Sequence, residues 1–159
     1  MKVLFLNDGI TEILVDDQDY DYLSTFSWRL NTGGYAITTN RGLRMHRLIM
    51  NAPKDKFVDH LNYNRLDNRR SNLRLCTNAQ NLQHSRSARR IKHPTSKYKG
   101  VSFAKERSKW LASITLFGHG INLGHYQTEH QAAMVYDLWA LELFKEFANP
   151  NSNVVLFGP

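Results

Sequence analysis

The sequence predicts an α+β protein in two parts. The first is an N-terminal β-rich scaffold ending in a strand, loop, strand and helix at about residues 56–85, and the second is a three-stranded antiparallel sheet packed on one helix. Three observations predict it. Short apolar, β-branched runs recur between turn sequences from Val3 to Met50 and again from Tyr98 to Tyr126. Two T-x-x-Q sequences, Thr77 to Gln80 and Thr128 to Gln131, have the spacing of a capping box, so each marks a helix start. Between the parts, S-R-S-A-R-R-I-K-H-P-T-S-K from Ser85 loses apolar periodicity and reads as a basic linker. The expected organisation is 1–85, a linker at 86–95, a second domain at 96–149 and a tail at 150–159.

In chain order, Val3 to Leu6 and Thr11 to Val15 flank the turn sequence Asn7-Asp8-Gly9 and read as a hairpin. Asp16 or Asp17 is placed to cap a short helix through Leu23, with Tyr20, Leu23 and Phe26 turned inward. Trp28 to Leu30, Tyr35 to Thr38 and Leu43 to Met50 read as further strands, the last ended by Ala52-Pro53-Lys54. Val58 to His60 and Asn72 to Cys76 form a pair of strands around a polar loop, followed by the first capped helix. In the second part, Tyr98 to Phe103, Lys109 to Phe117 and Ile121 to Tyr126 alternate as strands. In the middle one Trp110, Ala112, Ile114 and Leu116 share one face and Leu111, Ser113 and Thr115 the other. Ala132, Ala133, Tyr136, Trp139, Ala140 and Leu143 recur at helical spacing to cover that sheet.

A hydrophobic fraction of 42% over 159 residues is that of a soluble globular chain. No run approaches the roughly 18 apolar residues of a membrane span, and the apolar run near Met1 is too short for a secretory signal; an intracellular protein is expected. The one cysteine, Cys76, is expected to be a small core residue. The net charge of +7 favours a polyanionic partner. Its distribution is uneven: from Arg86 to Lys109 nine basic residues (Arg86, Arg89, Arg90, Lys92, Lys97, Lys99, Lys105, Arg107, Lys109) face the single acid Glu106, whereas Asp8, Glu12, Asp16, Asp17, Asp19 and Asp21 crowd the start of the chain.

The stretch from Val58 to His84 carries the chemistry. A strand, loop, strand and helix this short can bring Asp59, His60, Asn81 and His84 to one place. Such a group suits phosphodiester hydrolysis. The carboxylate of Asp59 and the amide oxygen of Asn81 are the hard oxygen ligands that magnesium takes. His60, whose ordinary pKa is about 6.5, is suited to take a proton from water near neutral pH. Alternation along a strand sends His60 to the opposite side from Asp59 unless the strand twists. An Asp-His dipeptide alone carries little weight, and Asn72 and Asn81 are by themselves ordinary loop and helix-surface residues. The weight lies in the set and in the capping box where the helix should begin.

Asp59-His60, then Asn72-Leu73-Arg74 after eleven intervening residues, then Asn81, resembles the HNH nucleases, most closely the branch found in phage homing endonucleases. The resemblance implies a ββα-metal finger in which Asp59 and Asn81 hold the metal, His60 is the general base and Asn72 braces the hairpin. In other branches a helix histidine binds the metal, which keeps His84 as a second candidate. Met45-His46-Arg47-Leu48 resembles the element preceding the finger, so His46 and Arg47 are candidate phosphate contacts, with a structural histidine as the alternative. Arg69, Arg70 and Arg74 are further phosphate candidates, because guanidinium groups pair with phosphate through two hydrogen bonds.

Y-K-G-V, K-W-L-A-S-I, N-L-G-H-Y and T-E-H-Q-A-A-M-V-Y-D, from Ser96 to about Asn149, resemble the plant APETALA2 and ethylene-response-factor DNA-binding domain. The resemblance implies a sheet laid in the major groove, where base edges carry a full donor and acceptor code. The matching positions are Lys99, Ser102, Ala104, Ser113, Thr115, Asn122 and His125. Ser113, Thr115 and Asn122 are the expected base readers; Lys97, Lys99, Lys105, Arg107, Lys109 and the linker cations are expected on phosphates. The whole reads as a homing-type endonuclease acting on double-stranded DNA with a divalent ion, magnesium or manganese, without a membrane partner and with two copies as one route to a double-strand break. The rivals are a DNA-binding regulator with a non-catalytic finger and an RNA-directed or nonspecific nuclease.

Overall fold

The computed structural model describes residues 1–85 and 95–151. Two compact units meet at Asn81/Leu82. In the first, strands β1 (Lys2–Phe5) and β2 (Glu12–Val15) form the expected hairpin, with Lys2 opposite Val15 and Phe5 opposite Glu12. The Asp8 side chain closes its turn by accepting from the amides of Ile10 and Thr11, both at 2.9 Å. Helix α1 (Asp17–Ser24) follows with Asp16 at its N-cap position. No cap bond forms there; instead Asp16 Oδ2 accepts from the Arg70 amide at 2.7 Å.

The strands expected at Trp28 to Leu30 and Tyr35 to Thr38 are present as β3 (Trp28–Leu30) and β4 (Ala36–Thr38), and they pair antiparallel. The expected strand at Leu43 to Met50 is a helix instead, α2 (Met45–Ile49). Only its start is extended, where Arg44 bridges Ile37. Met45, Leu48 and Ile49 then turn one apolar stripe toward the core at i, i+3 and i+4, a helical spacing; strand alternation would send Leu48 to the side opposite Met45. Strands β5 (Phe57–His60) and β6 (Leu73–Cys76) form the second predicted hairpin, a 3₁₀ turn at Arg70–Asn72 leading into β6, and helix α3 (Asn78–His84) follows. Its capping box is present: the Thr77 amide donates to Gln80 Oε1 at 2.8 Å and the Gln80 amide to Thr77 Oγ1 at 3.2 Å.

One core joins these pieces. Leu4, Ile13, Val15, Leu23, Trp28, Met45, Ile49, Val58 and Leu73 are buried together, with Tyr20 and Phe26 packed at its edge. Each fully buried large side chain contributes about 1.5–3 kcal/mol. The polar hairpin loop is stitched to β2 by backbone bonds on both sides of one residue: Leu14 N to Leu66 O at 2.9 Å and Asn68 N to Leu14 O at 2.8 Å.

The second unit contains β7 (Val101–Ala104), β8 (Lys109–Leu116) and β9 (His119–Tyr126), antiparallel in that order, and α4 (Glu129–Phe144). Both bonds of the predicted capping box link Thr128 and Gln131. Ala112 and Ile114 of β8 are buried with Ala132, Ala133, Tyr136, Ala140 and Phe144 of α4. One expectation for this helix is corrected: Trp139, expected to cover the sheet, lies 48% exposed. Asp137 is buried and accepts from the Asn151 amide at 2.6 Å. Helical spacing puts residue 139 near the rim of the apolar stripe, where packing decides its fate. Gly100 is required where it stands: its φ is +73°, and a Cβ there would lie 2.0 Å from the Tyr136 ring.

Candidate functional site

The β5/β6 register sets Asp59 opposite Arg74 and His60 opposite Leu73. With no bulge in this pairing, Asp59 and His60 alternate and have different neighbours. Arg74 Nε and Nη2 both donate to Asp59 Oδ2, at 3.0 and 2.8 Å, and both side chains are largely withdrawn from water. His60, 4% exposed, lies against two other rings: His46 at 5.2 Å edge to face, and Tyr35 at 5.9 Å between centroids. Its Nε2 is 3.3 Å from Asn68 Oδ1. Burial pushes the His60 pKa down, the Asn68 contact and the Asp59 charge opposing part of that shift, so the ring is neutral at physiological pH. His46 is driven further, to about 3, by burial first and then by the charges of His60, Arg44 and Arg47.

The loop between the strands is held by its own side chains. Asn72 Oδ1 accepts from the Asn62 amide at 3.0 Å, and Asn72 Nδ2 donates to Asp67 O at 2.8 Å, so one buried amide ties both arms of the hairpin. Asp67, 1% exposed, accepts from Arg69 Nε and Nη2 at 2.7 and 2.6 Å and from Asn62 Nδ2 at 2.8 Å. These bonds, Arg69 first, hold its carboxyl below the usual range.

The candidate phosphate contacts are largely engaged within the chain. Arg69 grips Asp67, and Arg70 grips both oxygens of Asp19 at 2.9 and 2.7 Å. Arg74 holds Asp59. Arg47 donates to the carbonyls of Ala52, Pro53 and Lys56, fixing the turn before β5, and His46 is buried, which is the structural alternative for that residue. The reason is common to all: a guanidinium near a carboxylate or a cluster of carbonyls satisfies its donors there before any ligand arrives. Asn81 is half-buried on α3, its amide bonded to Thr77 O at 3.0 Å; His84 is buried at the end of that helix. Among the described residues no group of three or more His, Cys, Asp or Glu side chains could hold a metal ion. Cys76 is buried, and its thiol is pushed up to about 11, which makes it an inert core residue.

In the second unit the register puts Ser102 and His125 on either side of Leu111 and sets Ser113 opposite Asn122, so these side chains share the sheet face away from α4. Thr115 is exposed on the same face. Lys97, Lys105 and Arg107 are exposed and Lys109 half-buried. Lys99 differs: its ammonium donates to Gln83 O at 2.5 Å and Ser85 O at 3.1 Å, and burial pushes its pKa down to about 8. It caps the last carbonyls of α3 rather than projecting outward. Arg86, Arg89, Arg90 and Lys92 lie outside the described residues, as does most of the tail.

Asn68, Asp67, Tyr35 and Arg65 were not legible as site residues. Asn68 and Asp67 sit in a loop rich in asparagine and arginine with no periodicity to single them out. Tyr35 looked like a scaffold strand residue, and Arg65 reaches it over the ring face at 4.8 Å.

Comparison with known proteins bears on this geometry. Residues 45–83 match the family model for HNH endonuclease, a segment running from α2 through β5 and β6 into α3. Over 136 residues the chain is 37% identical to an uncharacterised HNH endonuclease of Acanthamoeba polyphaga mimivirus, covering 81% of this chain and 68% of the viral one. The chain belongs to the HNH endonuclease family. It is also 32% identical over 84 residues to Protein 3.8 of Escherichia phage T7, covering 53% of this chain and 67% of the phage protein. No solved structure matches. Membership of the HNH family makes this a nuclease by class. The segment that matches the family model contains the β5/β6 hairpin and most of the helix after it. No helix among the described residues is long and apolar enough to cross a membrane.

Proposed function

We propose that the chain is a metal-dependent endonuclease of the homing type that hydrolyses phosphodiester bonds in double-stranded DNA. The observation that carries the reading is His60: a buried imidazole, its pKa lowered by burial, next in sequence to the buried carboxylate of Asp59 on a hairpin braced by Asn72. His60 takes the proton from the water as its oxygen bonds to phosphorus; the P–O3′ bond breaks, and the 3′ oxygen takes a proton from solvent to leave a 3′ hydroxyl and a 5′ phosphate. Asp59 and Asn81 would hold the divalent ion, magnesium or manganese, with His84 as a further candidate. The donor set fits: carboxylate and amide oxygens suit a hard cation, and Asp59 already attracts a cation, the Arg74 guanidinium, to Oδ2. When bound, such an ion supplies positive charge that stabilises the phosphate and the leaving oxygen.

The second unit is read as an APETALA2-like module that carries the cutter to its site. The motifs from Ser96 to Asn149 and the shared outward face of Ser102, Ser113, Thr115, Asn122 and His125 support this reading. The exposed Lys105 and Arg107 would meet phosphates and the sheet face the bases.

The test is conversion of supercoiled plasmid to open circle. Magnesium should support nicking, chelation should abolish it, and His60→Ala should lose about 10²–10⁴-fold in rate, the usual weight of a general base. Plasmid binding without metal-dependent conversion would establish the rival DNA-binding regulator. RNA cut as readily as duplex DNA would establish the nonspecific nuclease.

A further inference from the structure

We infer that Asn68 is a positioning residue that holds the His60 ring as its Nε2–H tautomer, leaving Nδ1 as the nitrogen that accepts the proton. The inference rests on His60 being the general base proposed above. A neutral imidazole carries one N–H, and the partner of one nitrogen decides which nitrogen keeps the lone pair. Asn68 is that partner, with its Oδ1 3.3 Å from His60 Nε2.

The direction of the contact follows from the other end of the amide. Asn68 Nδ2 lies 3.3 Å from the carbonyl oxygen of Arg65, which can only accept. Turning the amide over would set two acceptors face to face, so the nitrogen belongs on Arg65 and the oxygen on His60. An oxygen acceptor then requires the hydrogen on Nε2.

The residue is also built to stay where it is. Asn68 is fully buried, and its amide donates to Leu14 O at 2.8 Å, anchoring it to the edge of β2. Asp67 before it and Leu66 before that are fixed by the Arg69 grip and the Leu14 amide. The contact thus runs from the rigid scaffold, through the hairpin loop, to the ring on β5. His46, edge to face, and Tyr35, with its ring tilted, hold the imidazole from other sides by ring contacts that impose no tautomer.

The experiment reads the ring directly. In the full chain labelled with nitrogen-15, without metal or DNA, a long-range proton–nitrogen correlation spectrum should show Nε2 protonated and Nδ1 bare, the His60 signals being assigned by their loss in His60→Ala. In Asn68→Ala the ring should relax to a mixture of tautomers. Asn68→Asp, which keeps an oxygen toward the ring, should retain the single form. Plasmid nicking by Asn68→Ala should fall roughly tenfold to a hundredfold in kcat with KM unchanged, with Asn68→Asp recovering most of it. An Nδ1–H ring in the unaltered protein overturns the inference, whether or not any variant folds. So does an unchanged single tautomer in folded Asn68→Ala. Since the spectrum needs no activity, an inactive protein with the Nε2–H ring removes the nuclease reading alone, and an active one with the Nδ1–H ring removes the Asn68 inference alone.

Discussion

Replacing His46 by phenylalanine should flatten the fall in stability between pH 7 and pH 5. His46 is 4% exposed, packed edge to face on Tyr35 at 5.0 Å and on His60 at 5.2 Å, and its pKa is pushed from 6.5 to about 3, mainly by burial. In that window the unfolded chain gains a proton and the folded chain does not, so stability falls as the pH drops. Linkage with these two values gives about 2 kcal/mol lost from His46 between pH 7 and pH 5. His60 adds a loss of the same sign, because its pKa is also lowered. Comparing the two proteins isolates the His46 part. Phenylalanine keeps a ring in the same place without a titrating group, so its own packing change enters both pH values alike. Urea unfolding at the two pH values measures the difference. If the variant and the unaltered protein lose the same stability, His46 is not held neutral by this cluster, and the reasoning fails. A His46 ring proton signal that titrates near 6.5 in the folded protein would refute it equally.

Gly100→Ala should destabilise the second unit by more than about 2 kcal/mol, since a left-handed φ costs roughly 1–2 kcal/mol and the new methyl also meets Tyr136 and, at 2.7 Å, the Ser113 carbonyl oxygen; thermal unfolding measures it. Arg70→Lys should cost about 1 kcal/mol, because lysine cannot reproduce the forked contact with Asp19 and the half-exposed pair is partly screened by water; chemical denaturation at low and high salt measures both the cost and its salt dependence.

Local rules were readable without the fold. The two capping boxes were legible because a hydroxyl and an amide three residues apart satisfy helix amides wherever the helix lies. The β1/β2 and β5/β6 hairpins were legible from β-branched runs around turn residues, and the three-stranded sheet from alternation, which also placed Ser113 and Thr115 together on one face of the middle strand. The segment after Leu43 was misread because an apolar run of that length fits a strand or a buried helix equally until the core chooses. Trp139 shows the same limit at the rim of a helix stripe.

By itself, then, the sequence singled out the candidates, since Asp59, His60, Asn72 and Asn81 stand out by type and spacing along the chain. What only the tertiary structure decided is who faces them. Arg69, Arg70 and Arg74 read as open cations until folding sets each beside an acid, Asp19 lying 51 positions from Arg70. Asn68 is one asparagine among several until the loop lies along β2 and turns its amide on His60. The physical reason is that electrostatic and hydrogen-bond partners are chosen by distance in space, which spacing along a chain fixes only within a single turn, strand or helix.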